Sequence, residues 1–288
     1  MARVFVGTSS WSQHTDFYPP GLRSTEQITF YAQHFPLVEI NSTYYAMQPL
    51  RNYAAWAKRT PEGFLFDVKP FKQLTWHDRG NPPDDALAAQ FRESLQPLRD
   101  AGKLRALNYQ FPPWFVYKSD NLDYIKHVRD QWSDALSIEF RHRSWLEGDH
   151  VAGLTETLRS WGVGLTVVDE PQIGSGSVPT VLAVTSPSLA IVRFHGRNAA
   201  KWYAKVESTG ERFDYLYSEE ELRQWVPNLA ALGAEAQEIH VLFNNNARDY
   251  AVRNGRQLQL VLREMLPEHE TVLPPAPPAL DGTAMASL

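Results

Sequence analysis

The chain has 288 residues, of which 43% are hydrophobic and 21% are charged, with a formal net charge of −5 at pH 7 and no cysteine. The lack of cysteine excludes disulfides, cysteine nucleophiles, iron–sulfur clusters and thiolate zinc sites. The acidic balance argues against a generic coat for polyanions, because such proteins usually carry a basic excess.

The first residues, Met1-Ala2-Arg3, lead directly into an apolar β-rich run with no signal-type segment, so we expect a cytoplasmic protein without a membrane partner. Eight such runs follow one another, at residues 4–6, 37–38, 64–66, 104–109, 136–138, 165–168, 191–192 and 239–243. Segments with helical periodicity separate most of them. The pattern predicts one α/β domain, a (β/α)8 TIM barrel over residues 1–266, whose working face lies where the strands end.

Three segments depart from this regular pattern. Residues 170–177 are rich in Gly, Ser and Pro, which excludes a long helix in the sixth βα unit. Residues 196–217 form a second long connection, and long connections in compact domains are either functional lids or mobile insertions. Residues 267–288 are rich in proline and small side chains, and we predict a disordered tail there.

Polar residues at the strand ends should meet at one mouth of the barrel, because all strands run in the same direction. The cations of this set are Lys69, Arg141, Arg193 and Arg197. The carboxylates are Glu39, Glu139 and Asp169. The histidines and amides are His142, His195, Asn41, Gln110, Asn244 and Asn245. Four cations against three carboxylates favour an anionic ligand, although some of these residues could instead be ion pairs that hold loops.

Aromatic residues accompany the charges in the same loops. The candidates for ligand contact are Tyr44, Tyr45, Trp145 and Trp202. Flat rings beside cations stack on bases or sugars and orient guanidinium groups. The alternative is that these rings anchor their loops to the barrel.

Catalytic roles can be named only as hypotheses. If the protein is an enzyme, a hydrolase or an isomerase, the three carboxylates are the candidate bases and His195 is a candidate for proton transfer at neutral pH. The same carboxylates and His195 could also hold a divalent metal. However, the nine histidines form no paired-His motif, and the nearby cations would repel a metal. We therefore expect neither a bound metal nor a cofactor.

Ordered motifs along most of the chain resemble the YecE-like family, domain of unknown function 72. They include Gly7-Thr8-Ser9-Ser10-Trp11, Val38-Glu39-Ile40-Asn41-Ser42-Thr43-Tyr44-Tyr45, Phe66-Asp67-Val68-Lys69, Gln110-Phe111-Pro112-Pro113, Glu139-Phe140-Arg141-His142-Arg143-Ser144-Trp145, Val168-Asp169-Glu170-Pro171, Val192-Arg193-Phe194-His195-Gly196-Arg197 and Phe243-Asn244-Asn245. The resemblance runs from about residue 3 to residue 263. It implies a TIM barrel related in shape to sugar isomerases and apurinic-site endonucleases, and it implies no settled activity.

Two functional hypotheses follow. The leading one is a barrel that binds a phosphate- or carboxylate-bearing, sugar- or nucleotide-like ligand at its mouth. The alternative is a nucleic-acid-binding or repair-associated protein without catalysis of its own, against which the overall acidity counts. The sequence leaves open whether the protein is an enzyme and which oligomeric state it adopts.

Overall fold

The computed structural model describes residues 1–204 and 209–274, and its framework is a parallel β-sheet. The strands are β1 Arg3–Ser9, β2 Leu37–Ile40, β3 Leu65–Val68, β4 Leu104–Gln110, β5 Ala135–Glu139, β6 Gly164–Leu165, β7 Val167–Asp169, β8 Ala190–Phe194, β9 Glu238–Phe243 and β10 Glu270–Val272. Strands that are buried on both faces need apolar, β-branched sequences, and these runs have them.

The sheet curves into a nearly closed barrel. Its strand order is β6-β5-β4-β3-β2-β1-β9-β8-β7, and β10 pairs with β1 outside this path. Only Thr166 separates β6, which pairs with β5, from β7, which pairs with β8. The two short strands are therefore halves of the predicted sixth strand, and the predicted (β/α)8 barrel is confirmed.

Helices connect the strands, and the longer ones cover the outside of the barrel. They are α1 Gln27–Tyr31, α2 Ser42–Tyr45, α3 Leu50–Arg59, α4 Asp85–Ser94, α5 Gln96–Asp100, α6 Ser119–Gln131, α7 Val151–Ser160, α8 Ala199–Trp202, α9 Thr209–Arg212, α10 Glu219–Glu235 and α11 Tyr250–Met265. Between β7 and β8 the chain forms no helix, as the Gly, Ser and Pro content predicts. α10 starts with a capping box, in which the Ser218 hydroxyl accepts from the Glu221 amide and the Glu221 carboxylate accepts from the Ser218 amide.

The interior of the barrel has a largely apolar layer toward the amino-terminal end of the strands, which also contains the buried His240–Asp67 pair, and a polar layer toward the other end. Phe5, Leu37 and Ile191 belong to the apolar layer. Above it, Glu39 and Arg193 are buried as charged groups. Buried charges are retained in proteins only when they are paired and hydrogen-bonded, so this layer positions the site described below.

The C-terminal boundary differs in part from the prediction. Glu270–Val272, within the range predicted to be a disordered tail, form β10 and pair in parallel with Arg3–Phe5. Backbone pairing with the first strand extends the barrel beyond residue 266. Residues 275–288 of the predicted tail lie outside the described residues. Across the described part of the chain, no helix has the length and apolarity that a membrane span requires.

Candidate functional site

A buried ion-pair network around Arg193 occupies the carboxyl-terminal half of the barrel interior. The side chain of Arg193 is 1% exposed. Its Nη1 donates to Glu139 Oε2 at 2.6 Å, and its Nη2 donates to Glu39 Oε2 at 2.6 Å and to Ser9 Oγ at 3.1 Å. Arg193, which the sequence predicts to bind an anionic ligand, is thus enclosed between two carboxylates. It braces β8 against β2 and β5.

His195 completes the bonding of Glu139. Its Nε2 lies 2.8 Å from Glu139 Oε1, and its Nδ1 lies 3.0 Å from Asn244 Nδ2. Because an amide nitrogen only donates, Nδ1 accepts and Nε2 carries the proton toward the carboxylate. Burial lowers the pKa of His195 to about 3, although Glu139 acts in the opposite direction. A neutral imidazole of this kind does not support the predicted role as a proton carrier at neutral pH.

Glu139 is held in its charged form. Burial alone raises the pKa of its carboxyl, but Arg193 and His195 lower that pKa well below the usual range. Asn108 adds a donor from β4: its Nδ2 lies 3.1 Å from Glu39 Oε1 and 3.5 Å from Glu139 Oε2. Sequence reasoning missed Asn108. The spacing could have identified it: Asn108 lies two residues before Gln110 in β4, so both side chains are on the same face of the strand.

Lys69 follows β3 and lies beside this network. Its Nζ donates to Gln110 Oε1 and sits 4.3 Å from the ring centroid of Tyr44. Burial lowers the pKa of Lys69 to about 8; the positive charges of Arg193 and Arg141 act in the same direction, whereas the carboxylates of Glu39 and Glu139 oppose it. Among the described residues, no carboxylate forms an ion pair with Lys69.

The guanidinium of Arg141 is a second cation of the site, in addition to the ammonium of Lys69. Its Nη1 lies 3.3 Å from Glu139 Oε1 and 3.2 Å from Glu170 Oε2. Its guanidinium carbon lies 5.1 Å from the ring centroid of Trp202. Trp202 Nε1 donates to the Gly176 carbonyl at 3.4 Å. The long connections after β7 and β8 therefore meet above Arg141.

Two titratable residues of the site were absent from the predicted set, Glu170 and His77. Glu170 is 3% exposed, and its Oε1 accepts from the Val178 amide at 2.7 Å. Burial raises the pKa of Glu170 to about 7, against the opposing effect of Arg141. Burial together with the charges of Lys69 and Arg141 lowers the pKa of His77 to about 3. Glu170 follows Asp169 in the strand-end motif Asp169-Glu170-Pro171, so the sequence could have identified it as a site residue. His77 lies in a loop, where no sequence motif marks it.

Asp169 and Arg197 form a separate, saturated pair at the rim. The Asp169 carboxylate accepts from Arg197 Nε at 2.8 Å, Arg197 Nη2 at 2.6 Å, the Tyr217 hydroxyl at 2.7 Å and Trp225 Nε1 at 2.8 Å. Arg197 Nη1 also lies 3.2 Å from Glu221 Oε1. Because of these contacts, neither Asp169, a predicted base, nor Arg197, a predicted anion-binding residue, is free for a ligand. A cavity of about 410 Å³ lies beside them and is lined by both residues and by Glu170.

Three predicted ligand-binding residues face elsewhere. Trp145 is completely buried; its ring stacks on Phe140 at 4.2 Å and its Nε1 donates to the Phe115 carbonyl at 2.6 Å, so it is a core residue rather than a ligand contact. His142 caps the following turn by accepting from the Ser144 amide at 3.2 Å. Asn245 Nδ2 donates to the Tyr215 carbonyl and to Asn254 Oδ1.

The remaining predicted residues lie around Lys69. Asn41 precedes α2, and its buried Oδ1 has no hydrogen-bond partner in the described part of the chain. The Tyr44 ring meets those of Tyr45 and His77 edge-on, each at 5.0 Å between centroids. Tyr45 is 63% exposed. The structure therefore brings Asn41, Tyr44, Lys69 and Gln110 to one side of the mouth, with Tyr45 at its edge.

Metal binding finds no support in the donor set. In the ranges that the structure describes, no group of three or more His, Asp or Glu side chains is arranged to hold a metal ion. The oxygens of Glu139 and Asp169 already accept from guanidinium, imidazole, phenol or indole donors. The expected absence of a metal stays a prediction.

The barrel and its strand-end cluster define the class of protein as a TIM barrel. Within that class, the chain belongs to the family described as "Protein of unknown function DUF72", whose model matches residues 5–279. The chain is 38% identical over 262 residues to the UPF0759 protein YunF of Bacillus subtilis, covering 88% of this chain and 93% of that protein. The resemblance to the YecE-like family is confirmed.

Solved structures agree with this assignment. A DUF72 family protein from Enterococcus faecalis superposes with a TM-score of 0.82 at 32% identity, covering 90% of this chain and 95% of that one. A xylose isomerase domain containing protein from Salmonella typhimurium superposes with a TM-score of 0.52 at 13% identity, covering 90% and 97%. This second likeness shows a shared fold only.

Proposed function

We propose that the barrel mouth binds a small anionic ligand, through its phosphate or carboxylate group, between Lys69 and Arg141. The ligand is sugar- or nucleotide-like, and Tyr44 and Trp202 flank the bound anion. The observation that carries the proposal is the ammonium of Lys69, which is partly buried and forms no ion pair with a carboxylate among the described residues.

The charge balance of the inner cluster supports an anion. The cluster holds three cations, Lys69, Arg141 and Arg193; the two arginines pair with the carboxylates of Glu39 and Glu139 and with the carboxyl of Glu170. The pKa of Glu170 is raised to about 7, so this group is only partly ionised at neutral pH. One more negative charge near Lys69 would offset the excess, and a partly desolvated oxyanion binds ammonium and guanidinium groups strongly.

The candidate bases differ in their availability for chemistry. Glu139 and Asp169 accept hydrogen bonds at both oxygens. Glu170 has one oxygen, Oε2, whose nearest described partner is Arg141 at 3.2 Å without hydrogen-bond geometry. If the protein is a hydrolase or an isomerase, Glu170 is the best-placed proton carrier, because its pKa lies near the operating pH.

Calorimetry with inorganic phosphate and with citrate tests this proposal directly. We expect saturable binding that weakens at high salt and is lost in Lys69→Ala. Lys72→Ala is the matched control, because Lys72 is a partly exposed lysine three positions further along the chain. Absence of binding by the unmodified protein, or equal loss in both variants, would contradict the proposal.

A second candidate function is binding of single-stranded nucleic acid at the rim. Exposed rings favour it: Trp114 is 43% exposed, and the Arg79 guanidinium lies 4.2 Å from its ring centroid. Rings beside cations are the usual stacking platforms for bases. A gel-shift titration at low and moderate salt separates the two candidates, since only this one predicts salt-sensitive retention of oligonucleotides that is lost in Trp114→Ala.

A further inference from the structure

Lys103, which is buried, and Lys69, which is partly buried, have very different surroundings. Lys103 Nζ donates to the Ala57 carbonyl at 2.6 Å, the Thr60 carbonyl at 2.7 Å and the Thr60 hydroxyl at 3.0 Å. An ammonium has three N–H donors, so this lysine is fully bonded and structural. Lys69 has one oxygen partner, Gln110 Oε1, and one ring face, that of Tyr44.

The position of Lys69 is also the one where chemistry is expected. It directly follows β3, at the carboxyl-terminal face of the barrel where TIM-barrel enzymes carry their active sites. Burial and the positive charges of Arg193 and Arg141 outweigh the opposing carboxylates of Glu39 and Glu139, and a lowered pKa increases the fraction of nucleophilic free amine. Lys69 therefore combines an incompletely bonded amine with a position at the face of the barrel where a ligand can reach it.

We propose that Lys69 forms an imine with an aldehyde or ketone that carries a carboxylate or phosphate group. This inference rests on the proposed function, because the same site must hold the anionic group of the ligand. In this proposal Arg141 binds that group and Lys69 Nζ attacks the carbonyl carbon. The substrate class is thus an anionic carbonyl compound.

The chemistry balances without an added oxidant or reductant. The lone pair of the neutral amine attacks the carbonyl carbon and forms a C–N bond, while the C=O π pair moves to oxygen. Transfer of one proton from nitrogen to that oxygen gives the carbinolamine. A second proton on the hydroxyl lets water leave as the nitrogen lone pair forms the C=N bond. The products are a protonated imine on Lys69 and one water molecule.

We assign the proton transfers of these steps to Glu170. The carboxyl of Glu170, which contacts Arg141, has a pKa raised to about 7 and so both gives and takes protons near neutral pH. The pKa of Lys69, lowered to about 8, leaves a useful fraction of free amine at the same pH. Neutral His77 adds no competing charge.

Borohydride trapping provides the test. The full-length protein is incubated with pyruvate or with pyridoxal 5′-phosphate, which present a carboxylate and a phosphate respectively, then reduced with sodium borohydride and mapped by peptide mass spectrometry. We expect a reduced adduct at Lys69, blocked by excess inorganic phosphate and absent in Lys69→Arg, which keeps the charge but cannot form the imine. Lys103 and the exposed Lys126 serve as internal controls in the same digest.

Phosphate binding measured in parallel separates the two proposals. If the protein binds inorganic phosphate but neither probe labels Lys69, the imine proposal is overturned and the anion site stands. Labelling that is spread evenly over exposed lysines also overturns it. If the protein binds no phosphate and shows no adduct, the proposed function fails first and this inference fails with it.

Discussion

The Nη1 atom of Arg193 lies 2.6 Å from Oε2 of Glu139, inside the barrel where the two side chains are 1% and 0% exposed. Removing two such charges from water is costly, and their attraction offsets the cost only when further hydrogen bonds complete the geometry. His195 and Glu39 supply those further bonds. The pair is therefore a structural brace beside which the candidate ligand site is built.

Loss of this brace should destabilise the protein strongly. Arg193→Met leaves Glu39 and Glu139 buried without their main partner, and we expect a loss of about 3–5 kcal/mol in the free energy of unfolding. Urea denaturation monitored by circular dichroism measures it. Arg223→Met, at an exposed pair with Glu264, is the control and should leave the midpoint nearly unchanged. A small effect of the Arg193 change would mean that the barrel interior is hydrated and adaptable.

Removal of Lys69 should have the opposite profile. Lys69→Ala leaves no buried carboxylate unpaired among the described residues, so we expect a melting temperature that is unchanged or slightly raised through relief of charge crowding. Phosphate binding should fall at least about tenfold, which corresponds to about 1.4 kcal/mol. Differential scanning fluorimetry and calorimetry measure the two effects. A stability loss on the order of 3 kcal/mol with intact binding would instead assign Lys69 a structural role.

Glu170 should make stability depend on pH in a defined window. Its pKa is about 7 in the folded protein against an ordinary value of 4.5, so the folded state binds more protons between these values. Stability must then fall as pH rises from about 4.5 through about 7, by on the order of 3 kcal/mol in all. Glu170→Gln should lack this fall. Urea denaturation at pH 5 and pH 8 measures the difference.

The exposed Glu156 on α7 offers the matched control. Glu156→Gln removes the same charge without involving the barrel mouth. If Glu170→Gln shows the same dependence of stability on pH as the unmodified protein, the Glu170 carboxyl does not titrate in that window.

Two aromatic residues of the predicted site should respond differently. Trp145→Ala opens a cavity against Phe115 and Phe140 and should cost about 3–5 kcal/mol of unfolding free energy. Tyr45→Ala removes an exposed ring and should cost less than about 0.5 kcal/mol. Chemical denaturation compares them. Similar costs for both would show that the Trp145 ring contributes little to the packing of the core.

Elemental analysis of the purified protein should find no stoichiometric transition metal. A metal at Glu139 or Asp169 would have to displace guanidinium and indole donors from their oxygens, and the nearby arginines would repel it. Inductively coupled plasma mass spectrometry after dialysis without chelators gives the answer. One tightly held zinc or manganese per chain would overturn the assignment of these carboxylates as partners of arginine.

The sequence by itself determined the fold and the face of the fold that carries the site. Mostly apolar runs such as residues 104–109 and 239–243, separated by segments with helical periodicity, are typical of a parallel sheet covered by helices. In such a barrel, side chains at the strand ends must converge, so their positions at the ends of β-rich runs suffice to group Lys69, Glu139 and Arg141 at one mouth.

Only the tertiary structure decided which charges neutralise each other. Arg193 bonds Glu39 across 154 positions of sequence and Glu139 across 54, and no local pattern encodes such distances. Four cations looked equivalent in the sequence; packing enclosed Arg193, tied Arg197 to Asp169, and left Lys69 without a carboxylate partner among the described residues. The reason is that ion pairing depends on separations of a few ångströms in space, whereas sequence periodicity specifies only the face of each element.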